Sequence, residues 1–177
     1  MSVTFTTPAL ETERLILRAP QPRDYDAFVD FYASERSQYV GGPLVGRDAW
    51  NAFAGEIGHW VLQGCGMWIL TLKGDDTARG IVGHWFPSNW PETEVGWVLF
   101  KAADEGNGYA REAAQAAIDH AWNTLGWDTI VSYIVPGNDP SVALAERLGA
   151  VLHPDAPQPN PDRPILVYRH PHPEAAK

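Results

Sequence analysis

The sequence has a single cysteine, a shortage of basic residues and no long apolar run. Cys65 stands alone, which excludes an intramolecular disulfide and a cysteine-rich metal cluster, and we interpret it as a buried thiol. Thirteen Lys and Arg against 22 Asp and Glu give a formal net charge of −9, whereas a general nucleic-acid binder usually presents a basic face. No stretch is as long as a membrane span, and no basic-then-apolar leader opens the chain. We therefore expect a cytoplasmic protein without metal, membrane or nucleic-acid partners.

The 177 residues, 45% hydrophobic and 20% charged, predict one globular domain over residues 1–177. Antiparallel strands come first and two strand–helix pairings follow, which predicts an α+β fold with a mixed sheet rather than a doubly wound one. We expect a loose leader over residues 1–13, a proline-rich surface loop over 153–164 and a disordered tail over 170–177. The predicted strands are 15–18, 67–72, 79–86, 94–100, 128–135 and 165–169, and the predicted helices are 24–35, 48–62, 108–124 and 140–148.

The chain is organised around residues 94–122, which predict a strand, a glycine turn and a long helix. Gly106 and Gly108 place no side chains in the turn, so that consecutive backbone N–H groups can face one ligand. These donors lie at a helix N-terminus, where the macrodipole also favours an anion. The stretch therefore predicts a phosphate cradle, although a simple tight turn would also use two glycines.

Two common phosphate-binding motifs do not fit this turn. A mononucleotide P-loop needs Lys and then Ser or Thr after its second glycine, and a dinucleotide fingerprint needs Gly or Ala where Arg111 stands. The spacing instead resembles the Q/R-x-x-G-x-G/A signature of the GNAT superfamily of N-acetyltransferases, in which the turn holds the pyrophosphate of coenzyme A. The chain departs from this signature at its first position, where Glu105 replaces Gln or Arg. The matching residues are Glu105, Gly106, Asn107, Gly108, Tyr109 and Ala110.

Two further segments carry the same resemblance. Residues 134–150 resemble the second GNAT motif, a strand followed by N-x-x-S and a helix that ends in L-G, and Asn138 would hold the pantetheine arm there, or would only form a turn with Asp139. The opening TERLILR, residues 12–18, resembles the ribosomal-protein N-terminal acetyltransferase branch. The resemblance covers essentially the whole chain. It implies a GNAT fold, with a mixed central sheet flanked by helices, and acetyl-CoA as co-substrate.

The implied reaction is the direct attack of an amine on the acetyl thioester, which needs a base for the amine. Glu94 is the predicted base, because its distance from Gly108 matches the catalytic glutamate of the histone-acetyltransferase branch. Burial among aromatic rings would raise the pKa of its carboxyl towards neutrality. His84, on the neighbouring predicted strand, is the rival. The rings expected around Glu94 are Trp85, Trp90 and Trp97.

The departing thiolate needs a proton and the oxyanion needs a donor. Many relatives use a Tyr seven residues after the motif Asn, where this chain has Ala145, so Ser141 or a water is the predicted acid. The family's strands splay apart to admit pantetheine, which implies cofactor contacts at Val98, Leu99 and Phe100. A backbone N–H near Val98 or Leu99 is the expected oxyanion donor.

The resemblance implies an N-acetyltransferase that acts on a primary amine, and the ribosomal-protein likeness favours a protein N-terminal α-amine. Acetylation of a small amine, such as an amino sugar, polyamine or drug, is the alternative. A coenzyme A-binding sensor without turnover is a second alternative, since the usual Tyr is missing and Glu105 breaks the signature. The apolar last strand and the eight tryptophans further predict a homodimer.

Overall fold

A single mixed sheet of eight strands runs through the computed structural model, which describes residues 6–173. The strand order is β1-β2-β3-β4-β5-β6-β8-β7, and all neighbours are antiparallel except β5 and β6. This arrangement confirms the predicted α+β class. The strands are β1 (Leu10–Glu11), β2 (Leu15–Arg18), β3 (Met67–Leu72), β4 (Asp75–Trp85), β5 (Glu94–Leu99), β6 (Val131–Ile134), β7 (Val151–Leu152) and β8 (Leu166–Arg169).

Helices cover both faces of the sheet. The α3 helix packs on one face, and α1 and α2 pack on the other. In residues 6–173 no helix combines the length and the apolarity that a membrane crossing requires. The helices are α1 (Tyr25–Tyr32), α2 (Gly46–Gln63), α3 (Tyr109–His120) and α4 (Asp139–Arg147), and a π-helical turn (Ala121–Leu125) extends α3.

Small side chains hold α3 close to the sheet. The sequence of the helix predicts an inner face of Ala113, Ala116, Ala117 and Ala121. This face is present, but Ala114 is buried where Ala116 was expected, and Ala116 is only partly buried. Close approach allows His84 of β4 to bond through Nε2 to the carbonyl of Ala117 at 2.9 Å. The start of α3 is therefore fixed relative to the strands that precede it. The fully buried alanines are Ala113, Ala114, Ala117 and Ala121.

Helical spacing within the predicted helix 48–62 also predicts a buried stripe, but α2 turns a different stripe to the sheet. The predicted stripe is Trp50, Phe53, Ile57, Trp60 and Val61. Phe53 and Trp60 are buried as expected, but Trp50 and Val61 are 55% and 45% exposed. The prediction was wrong for these two residues because each lies one position from the buried stripe and therefore about 100° around the helix. That stripe comprises Ala49, Phe53, Glu56, His59 and Trp60.

Hydrogen bonds to other segments place residues near both ends of the chain within the fold. Residues 10–11 were expected in a loose leader but pair with β2 as β1. His170 was expected in a disordered tail but is buried, and its N–H donates to the carbonyl of Ile130 at 2.9 Å. Residues 1–5 of the predicted leader and 174–177 of the predicted tail lie outside the described residues.

The sheet opens between β5 and β6. Within residues 6–173 a single register pair, Glu94 with Val131, joins these parallel strands. One residue further on, the Ser132 hydroxyl donates to the carbonyl of Val95 at 2.6 Å, and the pairing then stops. The carbonyl of Val98 points at β4, so the alternation of a strand turns the main chain of Trp97 and of Leu99 towards the opening.

Candidate active site

A groove of about 610 Å³ begins at this opening. One wall is the second half of β5, formed by Trp97, Val98 and Leu99. The floor is the turn before α3 together with the first turn of that helix, and the far side is α4 and a short segment after α1. Lining residues from the last two elements include Arg36, Gln38, Tyr39, Val40, Asn138, Pro140, Ser141, Leu144 and Arg147.

The predicted phosphate cradle lies on the floor of the groove. Gly106 and Gly108 have φ values of +75° and +80°, which other residues rarely adopt. Gly108 is the N-cap of α3, and the helix begins at Tyr109 and Ala110. The N–H groups of this first helical turn have no partners within the helix and open on the groove, which favours an anion there.

An arginine of the N-terminal segment braces the cradle from behind. Arg14 pairs with Glu112 at 2.7 Å (Nη2 to Oε2) and donates from Nη1 to the carbonyl of Asn107 at 3.0 Å. The Asn107 amide donates to two carbonyls of its own turn, at 3.1 and 3.2 Å, and does not line the groove. Asn107 thus shapes the turn through its side chain.

Glu105, the departure from the GNAT signature, has a cationic partner from another element. Arg36 lies on the 3-10 turn Glu35–Tyr39 after α1. Its Nη2 is 2.7 Å from Glu105 Oε1 and also donates to the carbonyl of Leu99 at 3.1 Å. A positive side chain therefore lies beside the signature's first position, but it belongs to a residue 69 positions away in the sequence.

The predicted base opens β5, at the opposite end of the strand from the cradle. Glu94 is partly buried, and its Oε2 accepts a hydrogen bond of 2.6 Å from Trp90 Nε1. Gly96, two residues on, has no side chain that would cover the carboxylate, since a Cβ there would lie 3.5 Å from Glu94 Oε1. Burial raises the pKa of Glu94 to about 7, against the opposing effect of the Trp90 hydrogen bond. Trp85 stacks on His59 and Trp97 reaches α4.

A second carboxylate, which sequence reasoning missed, interacts with Glu94. Glu56 of α2 is 8% exposed, and its Oε2 has no hydrogen-bond partner among the described residues. Burial, helped by the charge of Glu94, raises the pKa of Glu56 to about 8. Its position between Phe53 and Trp60 on a helical stripe was the available signal.

The rival base, His84, faces the other side of the sheet. His84 pairs with Val95 in register and shares its core with α3, whereas Glu94 pairs with Trp85. Its side chain is fully buried, and burial lowers its pKa to about 4. An acceptor that reaches Glu94 therefore cannot reach His84.

The remaining predicted residues divide between the groove and the core. Trp97 Nε1 lies 3.3 Å from the oxygen of Ser141, which accepts this bond and keeps its own hydrogen for a group in the groove. Asn138 caps α4 with its carbonyl, to which the Ser141 N–H donates at 3.1 Å. Phe100 packs in the core on the α1 side of the sheet, and its N–H donates to the carbonyl of Arg79 at 2.8 Å.

The acetyltransferase (GNAT) domain profile matches residues 14–151. A solved acetyltransferase from Agrobacterium tumefaciens is 40% identical, with a TM-score of 0.88, over 97% of this chain and 98% of that one. The uncharacterized protein YkkB of Bacillus subtilis is 36% identical over 169 residues, which is 90% of this chain and 93% of YkkB. RimL, a ribosomal L7/L12 alpha-N-protein acetyltransferase in complex with coenzyme A, shares the fold at 18% identity and a TM-score of 0.71, over 92% and 97% of the two chains. The chain thus belongs to the GNAT acetyltransferase family and is an acyl-CoA-dependent N-acetyltransferase.

Proposed function

We propose that the protein transfers the acetyl group of acetyl-CoA to a protein N-terminal α-amine by direct attack, as a relative of the ribosomal-protein branch. The observation that carries the proposal is Glu94. This carboxylate has a pKa of about 7 and opens the strand whose other end leads into the anion cradle. One strand therefore links a base suited to neutral pH with a site suited to coenzyme A.

Acetyl-CoA fits the chemistry of the groove. The N–H groups from Gly108 to Ala110 would hold the pyrophosphate, together with the turn formed by Glu105, Gly106 and Asn107. The pantetheine arm would run along Val98 and Leu99 towards the opening between β5 and β6, with the Asn138 amide on its far side. Phe100 contributes to this path only as part of the wall behind it, because its side chain lies in the core.

The proton steps are assigned to two side chains. Glu94 takes a proton from the acceptor ammonium, directly or through one water, and the neutral amine then attacks the thioester carbonyl. A main-chain N–H at the open edge of β5, that of Leu99 or Trp97, stabilises the oxyanion. Attack leaves one excess proton on the nitrogen of the tetrahedral intermediate. When the C–S bond breaks, Ser141 donates its proton to the thiolate, and the excess proton on the nitrogen passes to the Ser141 oxygen, directly or through a water, so that the amide and the free thiol form.

The pKa of the base favours an α-amine over an alkylamine. An α-amino group has a pKa of about 8 and a lysine or polyamine nitrogen about 10.4. A base with a pKa of about 7 accepts a proton far more readily from the first group than from the second. The TERLILR opening supports the same class of acceptor.

A thiol-release assay with matched acceptors tests the proposal. One peptide carries a free N-terminus and no lysine, and its partner is N-acetylated and carries one lysine; an amino sugar and a polyamine complete the panel. We expect the highest kcat/KM with the free N-terminus. A higher value with a small amine would contradict the α-amine acceptor but keep acetyl transfer. Tight acetyl-CoA binding without turnover on a broad panel would instead indicate a sensor.

A further inference from the structure

Three acidic side chains surround the cradle, and each is paired with an arginine. Glu112 pairs with Arg14, and Asp104 pairs with Arg79 at 2.7 Å. Glu105 pairs with Arg36 at 2.7 Å. These three carboxylates are therefore neutralised within their pairs, and side-chain attraction for a phosphate depends on the arginines that line the groove, which are Arg36, Arg111 and Arg147.

Two of the three paired arginines are committed elsewhere. Arg14 holds Glu112 and also the carbonyl of Asn107, and Arg79 divides its guanidinium between two carboxylates, one of them 6% exposed in its side chain. Neither of these two is placed to line the groove. Arg36 does line it, with a side chain that is 35% exposed and a carboxylate partner that is 55% exposed.

The pair formed by Arg36 and Glu105 is easily exchanged. An exposed ion pair contributes about 0–1 kcal/mol, whereas a guanidinium–phosphate contact is charge-assisted, often bidentate, and stronger. The second Arg36 contact, to the carbonyl of Leu99, occupies an acceptor on the open edge of β5. If Arg36 moves to a phosphate, this carbonyl becomes available to an amide of the pantetheine arm.

We propose that Arg36 is a side-chain ligand of the cofactor's pyrophosphate, supplied from the turn after α1 in place of the cation that the signature lacks at Glu105. This inference rests on the proposed use of the groove by acetyl-CoA. In the free protein Arg36 bridges Glu105 and Leu99 across the groove. In the complex Arg36 leaves both partners and binds the phosphate, and the Leu99 carbonyl that it leaves accepts a hydrogen bond from an amide of the arm. Binding of the two halves of the cofactor is therefore coupled.

The test compares acetyl-CoA with S-acetylpantetheine, which has the thioester and the arm but no pyrophosphate. In Arg36→Ala we expect kcat/KM for acetyl-CoA to fall at least about tenfold, because a charge-assisted contact contributes about 1.5–3 kcal/mol. The value for S-acetylpantetheine should stay the same or rise. The ratio of the two values within one variant does not depend on the fraction folded. An equal fall for both substrates would overturn the proposal and make Arg36 a structural brace.

Two further variants sharpen the result. Glu105→Arg in the Arg36→Ala background puts a cation at the signature position and should restore most of the preference for acetyl-CoA; no restoration would overturn the role assigned to charge. Arg23→Ala is the matched control, since Arg23 is 58% exposed and pairs with Asp76 away from the groove. Its ratio should equal that of the wild type. If the wild type itself does not bind acetyl-CoA, the proposed function fails rather than this inference.

Discussion

The two ends of β5 are built for different chemistry. At its first residue, Glu94 lies among aromatic side chains and near the buried Glu56, and burial raises the pKa of each carboxyl. Beyond its last residue, the chain enters a turn with an exposed ion pair and left-handed glycines, where backbone N–H groups are the proposed donors to an anion. In the proposed function, a side chain exchanges protons at one end of the strand and the main chain binds an anion at the other.

This difference predicts which kinetic quantity each end affects. A change that removes the base should lower the rate of the chemical step and leave cofactor affinity nearly intact. A change in the turn should weaken cofactor binding, because the N–H donors act on a bound group that does not react.

The largest effect is expected from Glu94→Gln. The amide cannot accept the acceptor's proton, so kcat should fall by about 10²–10⁴ while the Kd for acetyl-CoA stays within about twofold. In the wild type, kcat/KM should decline below about pH 7 because the base becomes protonated, and the variant should lose this acidic limb. Both proteins must be measured with the same acceptor, since the amine's own ionisation also produces a limb. A limb that persists in the variant but disappears in His84→Ala would move the base to His84.

At the other end of β5, Gly108→Val should weaken acetyl-CoA binding at least about tenfold. A branched residue at φ +80° is strained by about 1–3 kcal/mol, and its Cβ would lie 3.4 Å from Nη2 of Arg14, the side chain that holds the turn in place. Gly74→Val is the control, with the same kind of strain at φ +84° in a hairpin turn and no atom within 4 Å of the added Cβ. Calorimetry should show normal affinity for the control alone. Wild-type affinity in both variants would break the distinction between the two ends.

Glu56→Gln tests the Glu94 end of β5 through the pH dependence of the protein's stability. A carboxyl whose pKa rises from 4.5 to about 8 on folding stabilises the protein when protonated, and this contribution is lost as pH rises through that range. The variant cannot ionise, so it should gain at least about 1 kcal/mol over the wild type at pH 9 relative to pH 5, or about 2–4 °C in Tm. The exposed Glu13→Gln serves as control. Parallel Tm–pH curves for Glu56→Gln and the wild type would show that Glu56 is not protonated in the fold.

The smallest effect is expected from Arg14→Lys. Lysine keeps the charge but loses the fork that joins Glu112 to the carbonyl of Asn107. The Arg14 side chain is 45% exposed, so acetyl-CoA affinity should weaken only about two- to threefold. An unchanged kcat at saturation is expected, and a fall in kcat without a change in Kd would contradict a role confined to the cradle.

The local sequence was sufficient to predict the parts of the site that depend on a few neighbouring residues. Gly106 and Gly108 indicate a turn with positive φ, and the apolar run before them indicates a strand, because both signals arise within ten residues. The order of elements and the α+β class follow from the same local periods of 2 and 3.6.

Contacts between distant segments were not accessible in this way. The pairing of Arg36 with Glu105 joins residues 69 apart, and nothing near either residue indicates the other. The role of Glu56 depends on the rotation of α2 against the sheet, which was predicted one residue out of phase. His84 and Glu94 look equivalent as polar residues on adjacent strands, and only the register separates them onto opposite faces.

The opening between β5 and β6 creates an edge strand in the interior of a sheet. Edge strands attract extended chains that carry amides, and proteins usually protect them at the border. Here Trp97 and Leu99 line the groove, so an amide-bearing arm can bind to their main chain as an additional strand by β-augmentation. A ligand that completes the sheet also stabilises it, by about 2.7 kcal/mol at 100 times its Kd. The supply of acyl-CoA would then raise the protein's resistance to unfolding as well as its rate of turnover.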